Sequence, residues 1–489
     1  MTVERIELAP GLSVSRVQTG LWQIADMERG GRAVDRDAAA DSMVPYVEAG
    51  LTTFDMADHY GSAEEIVGRF VERHGEGLVE VATKWVPRPG PLTRAEARSA
   101  VQRSLDRLRS SRVDLLQFHA WDWTDPSYLD GLFWLEELRD EGLIGHLGVT
   151  NFDAVHLDMM LASGVGLVSD QVSFSLIDQR AAGRLTEVCG RRSVKLLAYG
   201  TLAGGLLTDR WLGASERKAH DMSTWSMMKY KRFIDAAGGW GSYQQLLGIV
   251  SGVARRLGVS TAQVAMRCVL DQPAVASLVV GARLGESQHI ASTLELFDLE
   301  LDPESRARIE TALAAMRPVP GDCGDEYRRP PFLTASGDLS HHLEELPAPF
   351  PVERDGTGRR RAASGTPWES LAGYSRAVRD GRRIWVSGTT ATHGERLIGG
   401  ASAALQTQFA IDKIEGAVRS LGGRLEDVVR TRVFVRDAES WEEVARAHGE
   451  RFAEIRPANT LVEARLVGDR YLVEIEADAL VAEPAGEGK

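Results

Sequence analysis

Cysteine is scarce in this chain: three in 489 residues, at positions 189, 268 and 323. That number and that scatter exclude a disulfide framework and a four-ligand zinc site. No apolar run approaches the ~20 residues a membrane-spanning helix needs. The first residues, Met1 to Pro10, lack a basic stretch followed by an apolar one, so the expectation is a cytoplasmic protein with no membrane partner. Basic charge is in deficit, with 57 Lys and Arg against 70 Asp and Glu and a net charge of −13. An acidic balance of this size argues against a nucleic-acid partner. Adjacent histidines such as His341 and His342 cannot both face one ion from a regular helix, and no metal is expected. What is present is ordinary globular material, 43% hydrophobic and 26% charged, in a length that calls for more than one domain.

From Val14 to about Ala315, short apolar runs alternate with amphipathic stretches. The runs are Val17–Leu21, Leu51–Asp55, Val79–Thr83, Leu115–Phe118, Leu147–Val149, Val168–Gln171, Lys195–Ala198 and Leu278–Val280. Eight strands, each followed by a helix, predict a (β/α)8 TIM barrel. Thr93-Arg94-Ala95-Glu96 reads as a capping box opening one helix, and Ser260-Thr261 precedes another. The connection from about Leu206 to Tyr243 is long for a compact barrel and carries Trp211, Trp225, Tyr230, Phe233 and Trp240. It reads as a lid or specificity loop, or as an insertion with its own apolar cluster.

Four side chains fall at the ends of successive strands: Asp55, Tyr60, Lys84 and His119. In a closed parallel barrel they converge on one rim. A carbonyl that accepts hydride needs a proton at oxygen, and a tyrosine supplies it only sluggishly from its ordinary pKa of about 10. A neighbouring ammonium is expected to lower that pKa, with a carboxylate keeping the ammonium charged. Tyr60, Lys84 and Asp55 suit those parts, and His119 suits the orienting of the carbonyl oxygen.

Phe54-Asp55-Met56-Ala57-Asp58-His59-Tyr60-Gly61, Ala82-Thr83-Lys84 and Gln117-Phe118-His119 are similar to the motifs of the aldo-keto reductases. The resemblance covers about residues 1–316. It implies NADPH as cofactor, a nicotinamide carboxamide held by Thr150, Asn151 and Gln171, and a ring stacked on Tyr199. It further implies a pyrophosphate segment at Leu202 and Gly204, and an adenosine 2′-phosphate site at Gly281 and Arg283. Two positions depart from the family pattern: Gly200 where a serine is common, and Ser292-Thr293 where an acidic residue and an asparagine close the adenine site. Trp22, Trp85, Trp121 and Trp123, each just past a strand end, are candidates for the substrate pocket and suggest a flat or apolar substrate.

Residues 317–364 are rich in proline and read as a tail and linker, the first half ordered over the barrel mouth because it carries Cys323, Tyr327, Phe332 and Leu333. Residues 365–482 read as a smaller α+β domain with a mostly antiparallel sheet. Its strands are placed at Ile384–Gly388, Val428–Val435, Thr460–Val467 and Tyr471–Val481, the last two paired, with helices over 402–421 and 440–455. Gly373-Tyr374-Ser375, Val386-Ser387-Gly388 and Val473-Glu474-Ile475-Glu476-Ala477 resemble the YjgF/Rid family, of chorismate-mutase-like fold. That resemblance implies a trimer with clefts between subunits and cleft residues Tyr374, Asn459 and Glu474. The arginine that grips a substrate carboxylate in that family follows Pro-Ala, and here Pro457-Ala458 is followed by Asn459.

Three readings follow. The leading one is NADPH-dependent reduction of an aldehyde or ketone, with the second domain as oligomeriser or accessory site. A second joins the domains around an imine or enamine intermediate. A third is a non-catalytic NADPH-binding regulator, against which the complete set of four residues argues.

Overall fold

The computed structural model describes residues 3–286 and 288–482. The chain opens with an antiparallel hairpin, β1 (Arg5–Ala9) and β2 (Leu12–Ser15). Eight parallel strands follow: β3 (Val17–Gly20), β4 (Thr53–Asp55), β5 (Glu80–Trp85), β6 (Val113–Phe118), β7 (Ile144–Thr150), β8 (Leu167–Ser173), β9 (Lys195–Tyr199) and β10 (Val275–Gly281). They close in sequence order, β10 pairing back onto β3. The barrel expected from the alternation is therefore the one that forms, with all eight strands where the apolar runs lie.

Alternation along each strand sends one set of side chains inward and the other outward. Outward residues such as Phe54, Phe118 and Val149 join the main core beneath the helices. At the bottom of the barrel, Leu8, Leu12 and Val14 of the hairpin pack against Ala82, Leu115, Leu197 and Ala276. The hairpin thus closes the N-terminal end and leaves the C-terminal end as the mouth. Helix starts follow local chemistry. Thr93 and Glu96 form the expected capping box, and Ser260 forms another with Gln263.

The long connection after β9 folds into the helices Trp225–Ala236 and Gly239–Leu257 and encloses a second apolar cluster that includes Trp211, Tyr230, Phe233, Trp240 and Tyr243. It is an insertion with its own core that also reaches the mouth through Lys229 and Tyr230. In the tail after residue 317, Cys323, Glu326, Arg328, Leu333 and Leu339 are buried.

The second domain has β11 (Val352–Arg354), β12 (Arg360–Ala362), β13 (Ala377–Asp380), β14 (Arg383–Thr390), a small hairpin β15 (Thr392–His393) and β16 (Arg396–Leu397), then β17 (Val428–Val435), β18 (Ala458–Glu463) and β19 (Val473–Leu480). Its sheet runs β11-β12-β13-β14-β19-β17-β18. The expected pairing of the last two strands does not occur. β19 inserts between β14 and β17, and β18 lies parallel to β17 on the outer edge. Two neighbouring apolar runs read as a hairpin by sequence, but the helix Trp441–Phe452 carries the chain across first, which sets β18 parallel to β17.

The helix Ala403–Ser420 is buried at almost every position. One side, with Ala410, Ile414 and Ala417, packs on the sheet, and the other, with Leu405 and Phe409, enters the barrel's own core cluster. A helix buried on every side, with Gln406, Gln408, Asp412 and Lys413 among its buried residues, needs both apolar cover and polar partners, and the two domains supply them. Polar contacts finish the interface: Arg419 to Asp122 at 2.8 Å, His393 to Asp130 at 2.8 Å and His156 to Asp412 at 3.2 Å. No helix among the described residues is long and apolar enough to cross a membrane.

Candidate active site

At the mouth, Asp55 ends β4, Lys84 lies near the end of β5, His119 follows β6, and Tyr60 sits in the turn after β4. The register pairs Asp55 with Ala82 and Lys84 with Gln117, which aims Asp55 and Lys84 into the barrel. The Lys84 ammonium donates to both oxygens of Asp55, at 2.8 and 2.7 Å, and to the carbonyl of Met56 at 2.8 Å. Its nitrogen lies 4.9 Å from the centre of the Tyr60 ring. His119 Nδ1 is 3.4 Å from the carbonyl oxygen of Thr150, while its Nε2 is buried without a partner among the described residues. A buried polar atom left open in a converging set is where a ligand atom is wanted. The structure brings all four residues together.

Their electrostatics differ from the expectation in one respect. The Tyr60 phenol is pushed well above its ordinary value, first by burial and then by the Asp55 carboxylate, rather than drawn down by Lys84. All three ammonium hydrogens of Lys84 are spent on Asp55 and Met56, so none is aimed at the phenol oxygen. Burial lowers the Lys84 pKa against the pull of Asp55. The His119 imidazole is pushed well below its usual value by burial and next by Arg328, and is neutral. The Thr150 carbonyl can only accept. As that contact stands the ring proton is on Nδ1, and donation from Nε2 to a carbonyl oxygen requires the long 3.4 Å contact to be given up.

The candidate cofactor residues line the same rim. Thr150 Oγ1 donates to the carbonyl of Gln171 at 2.8 Å, and Gln171 Nε2 donates to Asp55 at 2.7 Å. Asn151 takes a left-handed φ of 61° and accepts from the Tyr199 hydroxyl at 2.7 Å. Leu202 precedes the short turn Ala203–Gly205, in which Gly204 (φ 66°) packs so closely on the backbone of Ser226 and Met227 that a side chain would overlap it. Gly281 ends β10 beside Gln23, and the half-exposed Arg283 lies 4.0 Å from Glu286.

A family model described as the aldo/keto reductase family matches residues 16–314. The chain belongs to the aldo/keto reductase family. A second family model, described as endoribonuclease L-PSP, matches residues 366–481, and this C-terminal domain is of the YjgF/Rid type. Aldo-keto reductase YhdN of Bacillus subtilis is 27% identical over 337 residues, covering 66% of this chain and 96% of that protein. The uncharacterized protein SCO2049 of Streptomyces coelicolor is 39% identical over 121 residues, 24% of this chain and 90% of that protein. Among solved structures, glycerol dehydrogenase AKR11B4 from Gluconobacter oxydans superposes with a TM-score of 0.54 at 25% identity, covering 66% of this chain and 97% of that one. Family membership makes this chain an oxidoreductase of carbonyl compounds.

Of the four tryptophans, two flank the aldo/keto reductase tetrad. Trp22 meets Tyr60 edge-on at 4.9 Å, and Trp121 meets His119 edge-on at 4.5 Å. The other two do not line the mouth. Trp85 follows the inward Lys84 and so points outward, into the core against Phe118. Trp123 is turned toward the second domain, between Phe152 and His156.

The mouth also holds residues absent from the expected set. His59 packs on Tyr60. The tail brings Tyr327 to 5.8 Å from the His119 ring and His342 to 4.9 Å from Trp121. Lys229 of the insertion donates to the Tyr327 hydroxyl at 2.7 Å, and Glu326 pairs with Arg180 at 2.9 Å. For the insertion and tail the sequence signal was their aromatic content, Tyr327 included, while His59 stands inside the Asp55–Tyr60 motif itself.

In the YjgF/Rid domain the expected cleft residues stand on three separate segments: Tyr374 before β13, Asn459 on β18 and Glu474 on β19. Glu474 on β19 pairs with Thr390 and Phe434 and lies over Gly388. Burial raises its pKa. Tyr374 is partly exposed near the start of β13. Asn459 is on the outer strand β18, donating to the Thr431 hydroxyl at 2.9 Å.

Proposed function

We propose that this chain reduces an aldehyde or ketone to an alcohol with NADPH, Tyr60 acting as the proton donor. The observation that carries the reading is one rim that holds the buried His119 Nε2, open among the described residues, together with Tyr60 over the Lys84–Asp55 pair. Thr150, Asn151 and Gln171 are assigned to the carboxamide, Tyr199 to the ring face, and Leu202 and Gly204 to the pyrophosphate. Gly281 and Arg283 are assigned to the adenosine 2′-phosphate, which a partly exposed guanidinium suits. Bound there, the reduced nicotinamide supplies the hydride.

The chain's own residues do the rest. His119 donates to the substrate oxygen and orients it. As the C=O π electrons move onto that oxygen, Tyr60 gives it the phenol proton. The phenolate left behind lies beside the Lys84 ammonium and recovers a proton from water. Because burial raises the Tyr60 pKa, the phenol stays protonated at neutral pH, which is the form an acid needs. Trp22, Trp121 and Tyr327 give the mouth an aromatic lining that favours a flat or apolar substrate.

The YjgF/Rid domain is assigned to trimerisation. Its helical side is covered by the barrel, while the opposite sheet face carries exposed Trp385, Val462 and Leu480. With Asn459 in the arginine position, a substrate carboxylate loses its anchor there.

The test is a panel of carbonyl substrates with NADPH, run on full-length wild type and Tyr60→Phe. The variant is expected to lose about 10²–10⁴-fold in kcat with unchanged cofactor affinity. Absence of turnover in wild type, or undiminished turnover in the variant, sinks the reading.

A further inference from the structure

Arg328 follows the barrel proper, yet its side chain is only 7% exposed. Nε donates to the carbonyl oxygen of Ala120 at 2.8 Å, and Nη1 donates to that of Asn151 at 2.7 Å. Ala120 follows His119, and Asn151 follows Thr150, whose own carbonyl faces the His119 ring. β6 and β7 are barrel neighbours, so one planar cation ties their ends together just where the oxygen-orienting and carboxamide-holding residues emerge. Gly324 shows that the turn is shaped around this contact. It adopts a left-handed φ of 85°, and any side chain there would overlap both the Asn151 carbonyl and the Arg328 guanidinium.

The guanidinium carbon rests 4.3 Å above the Trp123 ring. The other face of the platform is fixed from outside the barrel. His156 stacks on Trp123 with ring centres 4.0 Å apart. His156 bonds Asp153 at 2.7 Å and, across the domain boundary, Asp412 at 3.2 Å. Asp412 in turn receives Arg451. A continuous series of packed and bonded groups therefore runs from the YjgF/Rid helix to the strand ends beside His119.

We propose that Arg328 is a positioning residue for the reductase site, and that the YjgF/Rid domain takes part in that site by fixing, through Asp412, His156 and Trp123, the platform that carries Arg328. The inference rests on the reductase reading above. It gives the fusion of the two domains a role within a single chain, separate from any trimer. The fixed charge of Arg328 also acts on His119, where it follows burial among the causes that keep the imidazole neutral. A lysine keeps that charge but has no planar fork to span two carbonyls.

The experiment uses full-length wild type, Arg328→Met, Arg328→Lys and Asp412→Asn. It measures kcat and its pH profile with a carbonyl substrate, and NADP⁺ affinity by tryptophan fluorescence, which needs no turnover. Arg328→Met is expected to lose tenfold or more in kcat and in NADP⁺ affinity. Its acidic limb should move to higher pH, because removing a neighbouring cation raises the His119 pKa. Arg328→Lys should return the limb toward its wild-type position without restoring affinity, and Asp412→Asn should lose two- to fivefold in kcat. Wild-type affinity and pH profile in Arg328→Met overturn the proposal. If that variant does not fold, wild-type kcat and affinity in Arg328→Lys overturn it. Wild-type kcat in Asp412→Asn overturns the part played by the second domain. A wild type that turns over no carbonyl sinks the reductase reading, and the fluorescence titration then decides this proposal alone.

Discussion

The imidazole of His156 lies flat on the indole of Trp123, with ring centres 4.0 Å apart and planes 8° from parallel. The pair sits where the barrel meets the helix Ala403–Ser420, and it joins an ionisable group to the underside of the active-site mouth. Burial opposes charge on His156, but Asp153 and then Asp412 outweigh it and raise its pKa to about 9.

That shift makes interface stability depend on pH. A group whose folded pKa lies above its unfolded value, about 6.5 for histidine, stabilises fully below the unfolded pKa and loses its contribution as pH rises through the folded one. The window is about pH 6.5 to 9, and the contribution is of the order of 3 kcal/mol. Lys413, pushed down to about 7 by burial and Arg376, works in the opposite sense. The quantity to read is therefore the stability of wild type minus that of His156→Gln. It should be largest near pH 6 and shrink toward pH 9. A difference that stays constant over that range would rule out a charged His156.

The proposed use of NADPH rests on Arg283. Arg283→Ala should raise the KM for NADPH by at least about tenfold, the worth of one charge-assisted bond. The KM for NADH should change little. Equal losses with both cofactors would place Arg283 away from the 2′-phosphate.

The exposed sheet face bears on assembly. Trp385 lies opposite Asp478 in the register, and Val462 opposite Phe434, so these side chains share the face away from the helices. Light scattering on the full-length protein should give a trimer, and Trp385→Glu should dissociate it. A monomeric wild type would end the trimer reading.

Removing the second domain is expected to damage the first. Ala391, Ile398, Leu405 and Phe409 belong to the barrel's own core cluster. At about 1.5–3 kcal/mol for each large apolar side chain, uncovering that surface costs the barrel several kcal/mol. A fragment of residues 1–345 should melt at lower temperature than the full chain and aggregate. A monomeric fragment with full-length Tm would show the interface to be dispensable.

The barrel was legible because its strands are short apolar runs at regular intervals and its helices carry their own caps, as at Thr93 and Ser260. Asp55, Tyr60, Lys84 and His119 were legible for the same reason, since strand ends in a parallel barrel share one rim. Trp85 and Trp123 misled because proximity in sequence does not fix direction. Trp85 is adjacent to the inward Lys84 and must therefore point outward, while Trp123 is claimed by His156 and Arg328. The pairing of β18 and β19 was misread because strand order in a mixed sheet is set by long-range contacts rather than by neighbouring runs.

The sequence by itself determined which chemical groups are present and which strand end carries each, since both follow from local pattern and spacing. Only the tertiary structure decided how those groups titrate and what else stands beside them. Burial and Asp55 raise the Tyr60 phenol, and the tail delivers Tyr327, Arg328 and His342 to the mouth. The helix of a second domain supports the wall beneath them. Desolvation, side-chain direction and contacts between distant segments exist only once the chain has packed, and no run of neighbouring residues encodes them.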